Sequence, residues 1–237
     1  VQEARKLPTG SEHYRAFVGP TDQFDFMSST QFAFLYAMGI REHHKVLDFG
    51  CGSLRLGRLL IPFLNEGKYF GIEPNEWLIE DGIERELGRD TVGLKKPRFN
   101  NNADFDTDVF GEKFDYIVAQ SILTHTGPSS VKAFVKSASR ALAPGGLLLF
   151  SYICEKDPDA ALPEDGWYYP ACVNYTEDWM LRELGDAGLL GMSIPWYHPA
   201  ASWIAASPTQ EGLPQADHMD LVKGAVLRAP QFAGSIR

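Results

Sequence analysis

Three cysteines in 237 residues, Cys51, Cys154 and Cys172, are odd in number and lack the spacing of a disulfide framework or a zinc knuckle. They read as reduced thiols, which points to a cytoplasmic protein. No apolar run nears the roughly 20 residues that a membrane-crossing helix needs, so no membrane partner is expected. No basic-then-apolar leader opens the chain, although a start at Val1 instead of methionine is compatible with a removed one. Positive charge is also short. Twenty-two Lys plus Arg stand against 31 Asp plus Glu, a net charge of −9 that repels phosphate backbones and argues against a nucleic-acid partner. The basic run Lys95-Lys96-Pro97-Arg98 is short enough to be a solvated loop. His198 and His218 are isolated, without ligand spacing, so surface positions are expected for both and no metal site.

What the chain has is 44% hydrophobic residues, enough for one large core, and a glycine-punctuated turn near its start. Val46-Leu47-Asp48-Phe49-Gly50-Cys51-Gly52 reads as a strand entering a tight turn, and Leu54, Leu56, Leu59 and Leu60 follow at helical spacing. Glycine lacks a Cβ and tolerates positive φ, so backbone can approach a ligand there, beside the unpaired N–H groups of a helix start. Cys51 between the glycines suits a small filler as well as a reactive thiol. Two readings of the turn compete, a dinucleotide fingerprint and a methyl-donor loop.

The rest alternates strands and helices. Residues 1–19 form a polar arm whose Tyr14-Arg15-Ala16-Phe17 cluster suits a lid or a docked terminus. A helix is expected from Phe24 to Met38, ended by Gly39. A second strand runs from Lys68 to Glu73, about 20 residues beyond the turn, where a nucleotide-binding sheet places an acid on the ribose hydroxyls. Capping of the next helix is the competing role for that carboxylate. A helix over about Trp77 to Leu87, a polar connection from Gly88 to Lys96 and a brief strand at Arg98-Phe99 lead to the turn-rich loop Asn100 to Asp106. There Asp104 and Phe105 suit an adenine, one accepting from its amine and the other covering its face. Phe114 to Gln120 is a fourth strand. A helix follows from about Ser129 with Val131, Phe134, Val135, Ala138 and Leu142 in a stripe. Leu147 to Ile153 is a fifth strand, and the alternation argues a parallel, doubly wound α/β sheet.

Four blocks together, Val46 to Gly52, Gly71-Ile72-Glu73, Phe114 to Val118 and Leu142-Ala143-Pro144-Gly145-Gly146-Leu147, resemble the class I S-adenosylmethionine-dependent methyltransferases, of the small-molecule type. The resemblance implies a mostly parallel seven-stranded sheet with helices on both faces and an antiparallel C-terminal hairpin. The whole of residues 1–237 would be a single domain: arm and first helix (1–44), cofactor core (45–153), acceptor-side loop (154–175), last helix and hairpin (176–206) and tail (207–237). It implies S-adenosylmethionine as cofactor, approached by Asp48, Gly50, Cys51 and Gly52, with Glu73 on the ribose, Pro74, Asp104 and Phe105 at the adenine, and Gln120 along the donor. It also implies a helix over Thr176 to Ala187 and strands over Leu189 to Tyr197 and Ser202 to Ala206. A homodimer is compatible with this class.

A donor that is already activated asks the protein mainly for alignment and dryness. A base is useful only if the acceptor must lose a proton, and His125, just past strand four, suits that role or a backbone-bonded helix entry. Tyr14, Tyr152, Trp167 and Tyr168 are the candidate acceptor contacts, the last two on an aromatic loop that could equally anchor itself to the body. An Asn-Pro-Pro-Tyr type motif of base-methylating relatives is replaced by Gln120-Ser121-Ile122-Leu123, and carboxylates of magnesium-dependent relatives are missing after strands four and five. A small-molecule acceptor methylated on oxygen or nitrogen is thus expected. Two alternatives remain: an NAD(P)-dependent oxidoreductase, which wants glycine where Arg55 stands, and a non-catalytic S-adenosylmethionine-binding relative. The tail holds one expected short helix, Met219 to Leu227.

Overall fold

The computed structural model describes residues 6–224 of the 237. Its centre is an eight-stranded sheet in which seven strands follow one path, β3-β2-β1-β4-β5-β8-β7. These are β1 (Val46–Phe49), β2 (Tyr69–Ile72), β3 (Arg98–Asn100), β4 (Phe114–Ala119), β5 (Leu142–Glu155), β7 (Leu190–Ile194) and β8 (Ser202–Ser207). The first five pair in parallel, whereas β8 runs antiparallel to both β5 and β7. The doubly wound sheet with an antiparallel end is therefore the one expected. The eighth strand, β6 (Asn174–Thr176), was not foreseen; it pairs in parallel with the far end of β5, and three residues are too few to show a period.

Side chains on a strand alternate between faces, and two cores result. Leu47, Phe49, Ile117, Ala119, Phe150 and Tyr152 share one with Val131, Phe134 and Ala138 of α5 (Pro128–Ala141) and with Trp179 and Leu184 of α6 (Glu177–Asp186). Val46, Tyr116, Val118 and Leu149 share the other. There the sheet meets Phe34 and Leu35 of α1 (Phe24–Ala37), Leu60 and Ile61 of α2 (Gly57–Phe63), and Ile79 of α3 (Glu76–Gly82). By the same alternation Asp48, Gln120 and Ser151 fall on this second face, and Tyr152 on the first. Thr176 caps α6, its Oγ1 accepting from Trp179 N–H at 3.3 Å.

Two expectations need correction. The connection from Gly88 to Lys96 is a helix, α4 (Arg89–Lys95); none of its residues is buried and Leu94 is 73% exposed, so no apolar stripe announces it. The helix placed over Trp77 to Leu87 divides into α3 and a wide π turn, Ile83–Leu87. Of the two roles left open for the arm's aromatic and cationic cluster, docking is the one seen, with Tyr14 to Ala16 buried. Glu86 on the π turn accepts from Tyr14 at 2.9 Å and pairs with Arg15 at 2.5 Å and Arg58 at 2.9 Å, while Asp25 of α1 pairs with Arg58 at 2.8 Å. The tail's helix is α7 (Ala216–Gly224); residues 225–227 of the expected Met219–Leu227 helix lie outside the described residues.

The order β3-β2-β1-β4-β5 reverses direction between β1 and β4. In open α/β sheets ligands bind at such a switch point, outside the carboxyl ends of the strands. The glycine turn leaves β1 there.

Candidate active site

The turn is fastened to the neighbouring strand, since Gly50 and Cys51 N–H both donate to the Ile72 carbonyl, at 2.8 and 3.0 Å. Gly50 and Gly52 have φ of +75° and +52°, where a side chain would be strained. Space is the second constraint. A Cβ on Gly50 would collide with the Ile122 side chain, and one on Gly52 would come within 2.7 Å of Val18 Cγ1. Leu54 also has positive φ, at +60°, so the turn continues one residue past the glycines before α2 begins. The Cys51 thiol is buried against Gly71, and burial raises its pKa well above the usual thiol value; it is a filler with little thiolate character.

Three polar side chains converge on this turn. Glu73, just past β2, accepts from Gly52 N–H at 3.2 Å through one oxygen and from the backbone and side chain of Asn75, at 2.9 and 2.8 Å, through the other. Burial raises its pKa, and those donors partly offset the rise. Glu73 thus braces the entry to α3 through Asn75 while facing the glycine turn. Asp48 accepts from Tyr69 Oη at 2.8 Å, and burial lifts its pKa from 3.8 to about 7. Gln120 is 6% exposed, yet neither its amide oxygen nor its nitrogen has a hydrogen-bond partner among the described residues. Two unpaired buried amide atoms are costly, of the order of 1–3 kcal/mol each, unless a ligand serves them.

The docked arm covers this ground. Phe17 packs edge-on against Trp77 at 5.3 Å and beside Tyr169 at 5.4 Å, the Tyr169 hydroxyl donates to the Phe17 carbonyl, and Arg55 Nη1 donates to the Val18 carbonyl at 2.8 Å. The space left among Val18, Gln31, Asp48, Gly52, Arg55 and Gln120 is about 30 Å³. Ligand pockets run to roughly 300 Å³ or more, so a ligand of that size needs this space to widen, and Val18 is the lining residue that the arm brings. A larger cavity of about 290 Å³ lies at the amino ends of β4 and β5, among Met38, Tyr116, Pro144 and Gln215. It touches none of the glycine-turn residues, so the smaller space is the better candidate.

Comparison with known proteins agrees with this geometry. Residues 47–148, which contain the turn, Glu73 and Gln120, match a protein family described as a methyltransferase domain. The stretch that carries the candidate site is thus similar to a methyltransferase domain. Solved structures share its fold. The magnesium protoporphyrin IX methyltransferase from Synechocystis, with bound S-adenosylhomocysteine, aligns at 16% identity and a TM-score of 0.58 over 84% of this chain and 90% of its own. An amino pentose methyltransferase from Micromonospora echinaspora, bound to S-adenosylmethionine, aligns at 14% identity and a TM-score of 0.59 over 78% and 92%. A glycopeptide N-methyltransferase gives 14% and 0.58 over 76% and 93%. Of the two readings of the glycine turn, the match agrees with the methyl-donor loop.

Where an adenine was expected, Phe105 is half-buried with φ +57° and packs against Phe49 at 5.7 Å, whereas Asp104 and Pro74 are exposed. Beyond β4 the aromatic loop is zipped onto the segment that carries His125. Tyr168 N–H donates to the His125 carbonyl and Val173 N–H to that of Thr124, both at 2.8 Å. His125 is 9% exposed, and its Nδ1 lies 2.6 Å from the Ala171 carbonyl. A carbonyl only accepts, so Nδ1 carries the proton and Nε2 keeps its lone pair. Burial lowers the pKa, leaving the ring neutral at pH 7. Tyr169 stands edge-on to it at 4.8 Å and Trp167 at 6.0 Å.

Other expected acceptor contacts are scattered. Trp167 is 58% exposed beside Phe105 and His125, and Tyr168 is half-buried with its hydroxyl on the Glu164 carbonyl. Tyr152 is fully buried on the opposite sheet face, and Tyr14 is held in the Glu86 cluster. His198, expected at the surface, is half-buried: backbone N–H groups of Ala200 and Ala201 donate to Nδ1 at 3.2 and 2.9 Å, so Nε2–H donates to Ser121 Oγ at 3.3 Å. Burial and the nearby Arg55 charge push its pKa down to about 4. Sequence reasoning missed His198, Val18 and Tyr169 as neighbours of the turn, since each arrives from a distant loop without a spacing signal. Arg55 was weighed only as a missing glycine.

Proposed function

We propose that this chain transfers a methyl group from S-adenosylmethionine to an oxygen or nitrogen of a small-molecule acceptor. One observation carries the reading: within the stretch that matches a methyltransferase domain, the glycine turn, Glu73 and the unpartnered amide of Gln120 converge at the carboxyl ends of β1, β2 and β4. The fit to an adenosyl donor rests on chemistry. A turn closed to any Cβ admits backbone contact, Glu73 can exchange Gly52 N–H for ribose hydroxyls, and Gln120 offers one donor and one acceptor. Asp48 suits the donor's ammonium, which would keep the carboxylate ionised at neutral pH despite burial.

Bound there, S-adenosylmethionine supplies a methyl group on a sulfonium, activated for displacement. The protein's share is alignment, exclusion of water by Phe17, Val18 and Tyr169, and acceptance of a proton where the acceptor must lose one. His125 takes that proton on Nε2, held by the Nδ1–H bond to Ala171. The acceptors named for the similar structures, a porphyrin, an amino pentose and a glycopeptide, share a small or peptidic scale and no common shape, so the acceptor class rests here on the fold and the aromatic loop.

The test is transfer of labelled methyl from S-adenosylmethionine across a panel of hydroxyl- and amine-bearing metabolites, with S-adenosylhomocysteine formation as second readout. Turnover on at least one acceptor is expected. Donor binding with no turnover on any would favour a non-catalytic binder.

A further inference from the structure

Trp167 combines a fixed backbone with an open side chain. Its loop is closed onto the segment after β4 by an antiparallel bridge between Thr126 and Trp167, by Gly127 N–H donating to the Gly166 carbonyl at 2.8 Å, and by Asp165, which accepts from Ser129 N–H at 2.7 Å. The approach is so close that a Cβ on Gly127 would stand 2.6 Å from Gly166 N. Trp167 nevertheless stays 58% exposed. Three rings stand round it, Phe105 at 6.5 Å, Tyr169 at 6.3 Å and His125 at 6.0 Å. Phe105 reaches its place from φ +57°, an outlier for a bulky side chain and of the kind that clusters at ligand sites. Charge is the independent observation. Residues 99–110, 121–130 and 157–175, which supply these rings, hold seven Asp or Glu and no Lys or Arg. Arg140 reaches Asp106 and Asp108 from outside them, whereas Asp104 beside Phe105 and Glu164 before Trp167 are exposed and have no ion pair among the described residues. Ring faces are themselves negative, so a wall of rings rimmed by carboxylates repels anions and takes neutral or cationic groups.

We infer that the acceptor is an uncharged or cationic aromatic ring that stacks on Trp167, flanked by Phe105 and Tyr169, with its hydroxyl or amine turned to His125. The inference rests on the methyl-transfer reading above and names the class of acceptor for it. Position agrees with that use. Tyr169 links the group of rings to the arm over the glycine turn, since its hydroxyl donates to the Phe17 carbonyl and its ring lies 5.4 Å from that of Phe17. His125 is bonded through Nδ1, and its Nε2 has no hydrogen-bond partner among the described residues, so that lone pair is free for a proton of the acceptor. An aromatic acceptor gains from this wall what a saturated one of the same size does not, because offset stacking adds to burial.

Calorimetry with four probes of similar size tests this: 4-ethylphenol, its saturated counterpart 4-ethylcyclohexanol, tyramine and 4-hydroxyphenylacetate. Each is titrated into the wild type, Trp167→Ala and Trp167→Phe, alone and saturated with S-adenosylhomocysteine, with circular dichroism confirming that the variants are folded. The wild type should bind 4-ethylphenol about 5- to 10-fold more tightly than 4-ethylcyclohexanol, and tyramine about 10-fold more tightly than 4-hydroxyphenylacetate at low salt. Trp167→Ala should lose the preference for the ring and Trp167→Phe should regain most of it, while the preference for positive charge shrinks at high salt. No binding of any probe at millimolar concentration, equal binding of the ring and its saturated counterpart, a ring preference that survives in Trp167→Ala, or a carboxylate bound as tightly as the amine overturns the inference. The donor reading fails separately, if S-adenosylhomocysteine does not bind, and the ring preference is then decided on the protein alone.

Discussion

Replacing Asp48 with asparagine should stabilise this protein and impair it at once. The carboxyl is 3% exposed, and burial is the main reason its pKa rises from 3.8 to about 7; Tyr69 and Arg55 act in the opposite direction and Glu73 adds to the rise. Between those two values the folded state holds a proton that the unfolded state releases, so stability falls as pH rises through the window. Above pH 7 the whole cost is present, of the order of 4 kcal/mol. At pH 5 less than half of it has accrued. Asp48→Asn removes this dependence while its amide oxygen can still accept from Tyr69. Urea unfolding of both proteins at pH 5 and pH 8 should show the variant's advantage growing by about 2–3 kcal/mol at the higher pH. Donor affinity should fall, the familiar exchange of stability for function at a strained site. An advantage that is the same at both pH values would refute the raised pKa and the argument built on it.

Three further outcomes follow from the same geometry. His125→Ala should lower turnover by about 10²-fold or more with donor affinity intact, and wild-type kcat/KM should rise with pH through a value below 6.5 and level off above it, because a lowered pKa makes the base neutral early. An unchanged rate would leave His125 as a backbone-bonded anchor of the aromatic loop. Glu86→Gln leaves Arg15 and Arg58 partly unpaired in a buried cluster and should cost about 3–5 kcal/mol, measured by denaturant unfolding, with faster proteolysis of the arm. Gly52→Ala combines positive φ with the approach to Val18; it should weaken donor binding, and truncating Val18 to alanine in the same chain should restore part of it.

Much of the fold was legible because its signals are local. The glycine turn, the apolar strands and the stripe on α5 announce themselves within windows of a few residues, and their order sets the topology. Helix α4 was not legible, since nothing on it is buried, and neither was β6, whose pairing is decided by the end of β5. In the site, Glu73 could be placed from its spacing to the glycine turn, and Asp48 and Gln120, also at strand ends, from the family resemblance. Those arriving by tertiary docking could not. Tyr14 and Tyr152 went to the Glu86 cluster and the opposite core because neither the ion pairs of the arm nor the face of the fifth strand can be read from residue type. His198 stands beside Ser121 through contacts made 77 residues apart.

The central claim is that the glycine turn and Glu73 hold an adenosyl methyl donor. Titration calorimetry of S-adenosylhomocysteine and of NADH into the wild type and Glu73→Ala tests it most directly. The account predicts saturable binding of S-adenosylhomocysteine, about tenfold or more weaker in Glu73→Ala, and no comparable binding of NADH. No binding of S-adenosylhomocysteine at millimolar concentration, or affinity indifferent to Glu73, would contradict it.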